Sequence, residues 1–282
     1  MQSPRQEYAA NKRQEKEIVR TLAITNLKGG CGKTTTSVNL AAALALKGYR
    51  TLLIDLDPQG HATLGFGIIP ENQKHTIYDV IVNPKLPLQK ALIQTNISKL
   101  MLAPSNVLLS GAEAALMRME NREHVLLNRL QRYERYFDYC IIDCSPSLSL
   151  LTLNALDAAT EVIIPMQTHY YSIEGLKQVM ETLGVVQKRF NPLLEIRGIL
   201  LTMAERGTVL CKDVEQQMRD YFGDLVFKTM IHRNIRLAEA PGAGESIMTF
   251  DENNSGAIEY KQFAEEICYE KIRLTQRDFV HI

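Results

Sequence analysis

The sequence predicts an α/β fold: a doubly wound, mostly parallel sheet flanked by helices. Three observations predict it. Short apolar runs recur along the chain, among them TLLIDL (51–56), YCIIDC (139–144) and EVIIPM (161–166), as strands buried on both faces require. Stretches of helical composition separate them. A strand, a glycine-rich loop, a helix and a second strand also follow one another within residues 18–56, the βαβ unit that makes two strands run parallel.

In chain order, residues 1–17 are polar, carry both signs of charge, and read as a frayed or disordered arm before a single domain over 18–282. IVRTLAITN (18–26) reads as a buried strand ending at Asn26. Lys33 to Lys47 has helical composition, and Gly48 closes it from a C′ position. TLLIDL is the next strand. Residues 68–112 contain Pro70, Pro84, Pro87 and Pro104 and read as loops with short elements, an insertion in the wound core. Helices are predicted over 113–135, about 172–189, 208–222 and about 255–273, and further strands at 196–203 and 225–231. No repeat of solenoid period interrupts the alternation.

The bulk composition excludes several classes. Lysine plus arginine and aspartate plus glutamate are both 32, so the net charge is zero and a nucleic-acid partner must be met by a local patch. No apolar run is long enough to span a bilayer, and the first twenty residues lack the apolar core of a secretory signal. The five cysteines, Cys31, Cys140, Cys144, Cys211 and Cys268, show no disulfide spacing and suit a reducing cytoplasm.

The loop after the first strand is LKGGCGKTTTS (27–37). A nucleoside triphosphate needs close backbone N–H groups, a helix N-terminus and cations, and this loop offers all three. Gly29, Gly30 and Gly32 let the backbone approach. Lys33 opens the helix and can reach the β- and γ-phosphates. The Thr34 hydroxyl can ligate Mg²⁺, and Thr35 can add a phosphate contact. Asp143, at the C-terminal end of a buried strand, is a candidate for the same Mg²⁺. Asp55 and Asp57 end the second strand before Pro58-Gln59-Gly60, where a carboxylate could orient the attacking water or bind the metal's water shell; turn chemistry alone also accounts for them. The loop departs from the common G-x-x-x-x-G-K-[ST] pattern, with Leu27 where the first glycine belongs and an additional Lys28.

Lys28-Gly-Gly-Cys-Gly-Lys33-Thr-Thr resembles the deviant Walker A pattern of the ParA/Soj/MinD branch of P-loop NTPases. DLDPQGHAT (55–63) resembles that family's switch segment, and FDYCIIDCSPSLSLLTLNAL (137–156) its Walker B region. IPMQTHYYSIEGL (164–176) and IHRNIRLAEAPGAGESI (231–247) resemble later blocks typical of ParA/Soj partition ATPases. The resemblance implies an ATPase with weak intrinsic turnover that uses ATP and Mg²⁺. It implies that Lys28 reaches across a nucleotide-sandwich homodimer to the partner's phosphates. Asp57 is implied in hydrolysis, and Arg233 and Asn234 in binding adenine, beside His232 where the family has proline. Cys31 stands where valine is common.

The resemblance further implies non-specific DNA binding by the ATP dimer, with Arg236 at one implicated position. At a second such position stands Gly207, and Arg206, one residue earlier, is the substitute. A ParB-like centromere-binding partner is implied to stimulate hydrolysis, in a cytoplasmic, nucleoid-associated cycle of chromosome or plasmid partition. Two alternatives share these motifs: a positioning ATPase for another cargo, and a MinD-like membrane switch. The tail KIRLTQRDFVHI lacks the sustained apolar face the latter needs, so no membrane partner is expected.

Overall fold

The computed structural model describes residues 19–170 and 172–269. The predicted arm (1–17) and the C-terminal tail lie outside them. A seven-stranded sheet runs β3-β4-β2-β5-β1-β6-β7. Its strands are β1 (Arg20–Ile24), β2 (Thr51–Leu56), β3 (Ile93–Gln94), β4 (Leu100–Ala103), β5 (Tyr139–Cys144), β6 (Glu161–Gln167) and β7 (Glu195–Thr202). Every pairing is parallel except that of β3 with β4. All residues of β2 and β5 are buried, which is why both read as unbroken apolar runs.

The helices are α1 (Lys33–Leu46), α2 (His61–Leu64), α3 (Ile77–Val82), α4 (Ala112–Leu116), α5 (Val125–Leu130), α6 (Leu150–Ala158), α7 (Ser172–Arg189), α8 (Val209–Phe222), α9 (Ile235–Glu239), α10 (Ile247–Phe250) and α11 (Ser255–Tyr269). They cover both faces of the sheet, giving two apolar layers. One gathers α3–α8 with residues such as Leu52, Ile54, Ile142 and Ile164. The other gathers α1, α10 and α11 with Leu22, Leu53, Ile141 and Phe263. Among the described residues, no helix is long and apolar enough to cross a membrane.

Three expectations are corrected. Residues 68–112 are not an insertion, because they supply β4, which pairs in parallel with β2 from Thr51↔Leu100 to Ile54↔Ala103. The span 113–135 is not one helix: Asn121 takes the left-handed conformation at φ 50° and separates α4 from α5. Residues 225–231 do not form a strand. Phe227 N–H bonds Ile199 and Ile231 N–H bonds Leu201, but between them the N–H groups of Lys228 and Thr229 turn to the Glu266 carboxylate, at 2.7 and 3.0 Å.

The central position of β1 sets up the site. β5 lies on one side of it and β6 on the other, so successive crossovers leave in opposite directions and open a crevice at the strands' C-terminal ends. The parallel register also sets Asp143 opposite both Ile24 of β1 and Asp55 of β2.

Candidate nucleotide site

The loop between β1 and α1 turns on glycine. Gly30 and Gly32 have φ of 71° and 85°, a region that costs a side-chain-bearing residue strain. A Cβ at Gly29 or Gly30 would meet nothing within 4 Å, so the space above the loop is open. Gly32 caps α1 without any side-chain hydrogen bond, which leaves the first-turn N–H groups of α1 for an anion. The loop is pinned from below: Gln167 Nε2 donates to the Gly30 carbonyl at 2.6 Å, and Thr202 Oγ1 to that of Cys31 at 2.9 Å.

The two lysines are disposed differently. Lys33 is buried, with Nζ 2.9 Å from the Lys28 carbonyl and 3.9 Å from Cys31 Sγ. Lys28 gives only its backbone to the loop, while its side chain is exposed. Cys31 is buried, and that burial raises its thiol pKa.

Asp143 is fully buried. Ser37 Oγ donates to its Oδ1 at 2.8 Å, and Oδ2 has no hydrogen-bond partner. Burial, followed by the neighbouring Asp55 charge, holds the Asp143 carboxyl well above the usual carboxylate range; Ser37 and Thr34 oppose the shift. Asp55 is also fully buried and raised, chiefly by burial. Its Oδ2 accepts from the N–H and Oγ1 of Thr63 at 2.8 and 2.7 Å, and Thr63 Oγ1 accepts from Ser105 N–H at 3.0 Å. Asp57 keeps its turn role: its Oδ1 accepts from Gln59 N–H at 2.9 Å. An orphaned buried carboxylate oxygen beside a helix N-terminus and the Thr34 hydroxyl fits Mg²⁺ with phosphate, since Mg²⁺ takes one or two carboxylates and completes its shell elsewhere. Among the described residues no three His, Cys, Asp or Glu side chains form a group that could hold a metal ion.

Next to the loop lies a 330 Å³ cavity bounded by Gly32, Thr35, Met203, Ile231, His232 and Tyr260. Asn234 borders it, but its side chain caps α9 through Arg236 N–H at 2.9 Å and bonds Ser255 Oγ at 3.0 Å. Arg233 is 77% exposed and pairs with Glu205 at 2.9 Å. The other two arginines are engaged too. Arg206 reaches Glu259 at 2.9 Å, and Arg236 reaches Glu239 and Asp251 at 2.8 and 3.2 Å and stacks on Phe250. The structure therefore gathers Gly29, Gly30, Cys31, Gly32, Lys33, Thr34, Thr35, Asp57 and Asp143 at the strand ends and leaves the arginines on the surface. Sequence reasoning missed Ser37, Thr63 and Glu259. Ser37 was findable, four residues after Lys33 and so on the same helix face. Glu259 gives no such signal, because only the tertiary fold brings it to His232.

A family model described as AAA domain matches residues 19–196. The chain is similar to the sporulation initiation inhibitor protein Soj of Bacillus subtilis, 45% identical over 249 residues, covering 88% of this chain and 97% of the relative. It is also similar to the chromosome partitioning protein ParA of Myxococcus xanthus, 42% identical over 260 residues, 92% of each chain. Among solved structures, cobyrinic acid a,c-diamide synthase from Mycobacterium smegmatis with bound ATP analogue and magnesium matches at TM-score 0.78 and 35% identity, covering 89% of this chain and 95% of that one. A complex of a Cyanothece McdA variant with ATP matches at TM-score 0.80 and 23% identity, over 91% and 99% of the two chains, a likeness of fold.

Proposed function

The chain belongs to the ParA/Soj-type partition ATPases, and from that premise we propose that it is a dimerising switch. It is an ATPase, and its substrate and ion are ATP and Mg²⁺. In this reading two copies clasp ATP between them, the ATP dimer holds DNA without sequence preference, and hydrolysis releases it. A ParB-like partner stimulates that hydrolysis. The cycle serves chromosome or plasmid partition in the cytoplasm, on the nucleoid, and residues 18–282 act as one domain with 1–17 as its arm.

The observation that carries the reading is the contrast between the lysines. Lys33 is buried in its own loop and available to phosphates there, whereas Lys28 extends into solvent, as a cation meant for another copy's phosphates must. A triphosphate enclosed between subunits leaves negative charge that a lysine from the partner offsets in low dielectric. The backbone N–H groups of α1 hold the phosphates, and Lys33 stabilises charge on the β- and γ-oxygens. Thr34 and Asp143 would hold Mg²⁺, which when bound neutralises charge on the phosphate oxygens. Asp57, in the turn after β2, orients the attacking water. Arg236 and Arg206 meet DNA phosphates after leaving their carboxylate partners, so retention on DNA falls steeply with salt.

Light scattering with ATP, with ADP and without nucleotide, each with and without duplex DNA, tests the reading. A dimer mass with ATP alone and DNA association confined to that state are the expected results. One mass under all conditions contradicts it.

A further inference from the structure

We propose that His232 reads the six-position of the nucleobase: its ring Nε2 accepts a hydrogen bond from the exocyclic amino group of adenine. The inference deepens the nucleotide reading above and rests on it.

The 330 Å³ cavity shares Gly32 and Thr35 with the phosphate loop, so a nucleotide anchored at α1 places its base there. Ile231, Leu237, Met203 and Tyr260 give it apolar and aromatic walls of the kind that hold a flat ring. Most polar side chains around it already have partners. Thr202 Oγ1 donates to the Cys31 carbonyl, Tyr260 OH pairs with Thr36 at 3.2 Å, Asn234 caps α9, and Arg233 pairs with Glu205.

His232 differs. Its Nδ1 lies 2.8 Å from Glu259 Oε1, and its backbone N–H donates to Glu259 Oε2 at 2.9 Å. Arg206 Nη2 donates to the same Oε1 at 2.9 Å. Glu259 is buried, and both of its oxygens already accept, Oε1 from Arg206 and Oε2 from the His232 N–H, so it stands as an acceptor toward Nδ1 as well. Toward that acceptor Nδ1 is the donor, and in the Nδ1–H tautomer of imidazole the lone pair lies on Nε2. The tautomer is assigned from this hydrogen-bond network. Among the described residues Nε2 makes no hydrogen bond. An acceptor on this wall suits the adenine amino group, a donor, and opposes the six-keto oxygen of guanine or hypoxanthine, which only accepts. Glu259 is a positioning residue in this scheme, since it acts on the base through His232.

Equilibrium binding of ADP, IDP and purine riboside diphosphate, which lacks a six-substituent, tests the assignment at fixed Mg²⁺ without turnover. Wild-type protein is expected to bind ADP about tenfold or more tightly than IDP, the effect of one mismatched polar contact. His232→Phe keeps a ring in place but removes the acceptor, and should bring the two within about threefold. Purine riboside diphosphate should bind wild type more weakly than ADP, a comparison that needs no variant to fold. Equal binding of ADP and purine riboside diphosphate by wild type, or an unchanged ADP-to-IDP ratio in His232→Phe, overturns the inference while leaving the nucleotide site intact. Failure of wild type to bind ADP at all overturns both.

Discussion

Thr63→Val isolates the anchor of the segment that follows β2. Thr63 is fully buried, and its hydroxyl donates to Asp55 at 2.7 Å while accepting from Ser105 N–H at 3.0 Å. Valine has nearly the same shape, so no cavity opens and the change is one of hydrogen bonding alone. Losing a hydrogen bond to a carboxylate costs about 1.5–3 kcal/mol, and stranding the buried Ser105 N–H about 1–3 kcal/mol. The sum is about 2.5–6 kcal/mol, a large part of the stability of a typical domain. Urea unfolding of both proteins at neutral pH reads the difference as a shift in midpoint at constant slope. Thr63→Ser keeps the hydroxyl and should recover most of the loss. A Thr63→Val protein within about 0.5 kcal/mol of wild type, the range of an uncoupled surface change, would refute the claim that this hydroxyl ties β2 to Ser105.

Three substitutions probe the chemistry. Lys33→Ala removes the buried cation of the loop and should abolish ATP binding; titration of a fluorescent ATP analogue checks this, and wild-type affinity contradicts it. Asp57→Ala should leave ATP binding intact and reduce turnover by about 100-fold or more, trapping the ATP dimer; phosphate release at the normal rate rules the role out. Arg236→Glu should weaken DNA retention about tenfold or more at moderate salt while ATP-driven dimerisation persists; unchanged retention removes Arg236 from the patch.

The core of the sheet was legible because strands buried on both faces must be apolar throughout, as β2 and β5 are. The loop was legible because phosphate binding demands glycines, a lysine and hydroxyls in one short stretch. β4 was not legible: its four residues, Leu100–Ala103, lie just before Pro104, too short a run to establish a period. Residues 225–231 have a strand's composition, but Glu266 takes two of the N–H groups a ladder would need, and Glu266 is distant in sequence. The same limit hid Glu259. The exposure of Arg236 could be expected from its charge, but its capture by Glu239 and Asp251 depends on a turn of α9 and on the loop that leads into α11.

The exchange of Lys28 between two copies is tested most directly by the solution mass with a slowly hydrolysed ATP analogue and Mg²⁺, for wild type and Lys28→Ala. Wild type should have twice the mass of a single chain, and Lys28→Ala the mass of one chain even at saturating nucleotide. A Lys28→Ala protein that dimerises as wild type does would contradict a lysine shared across the interface.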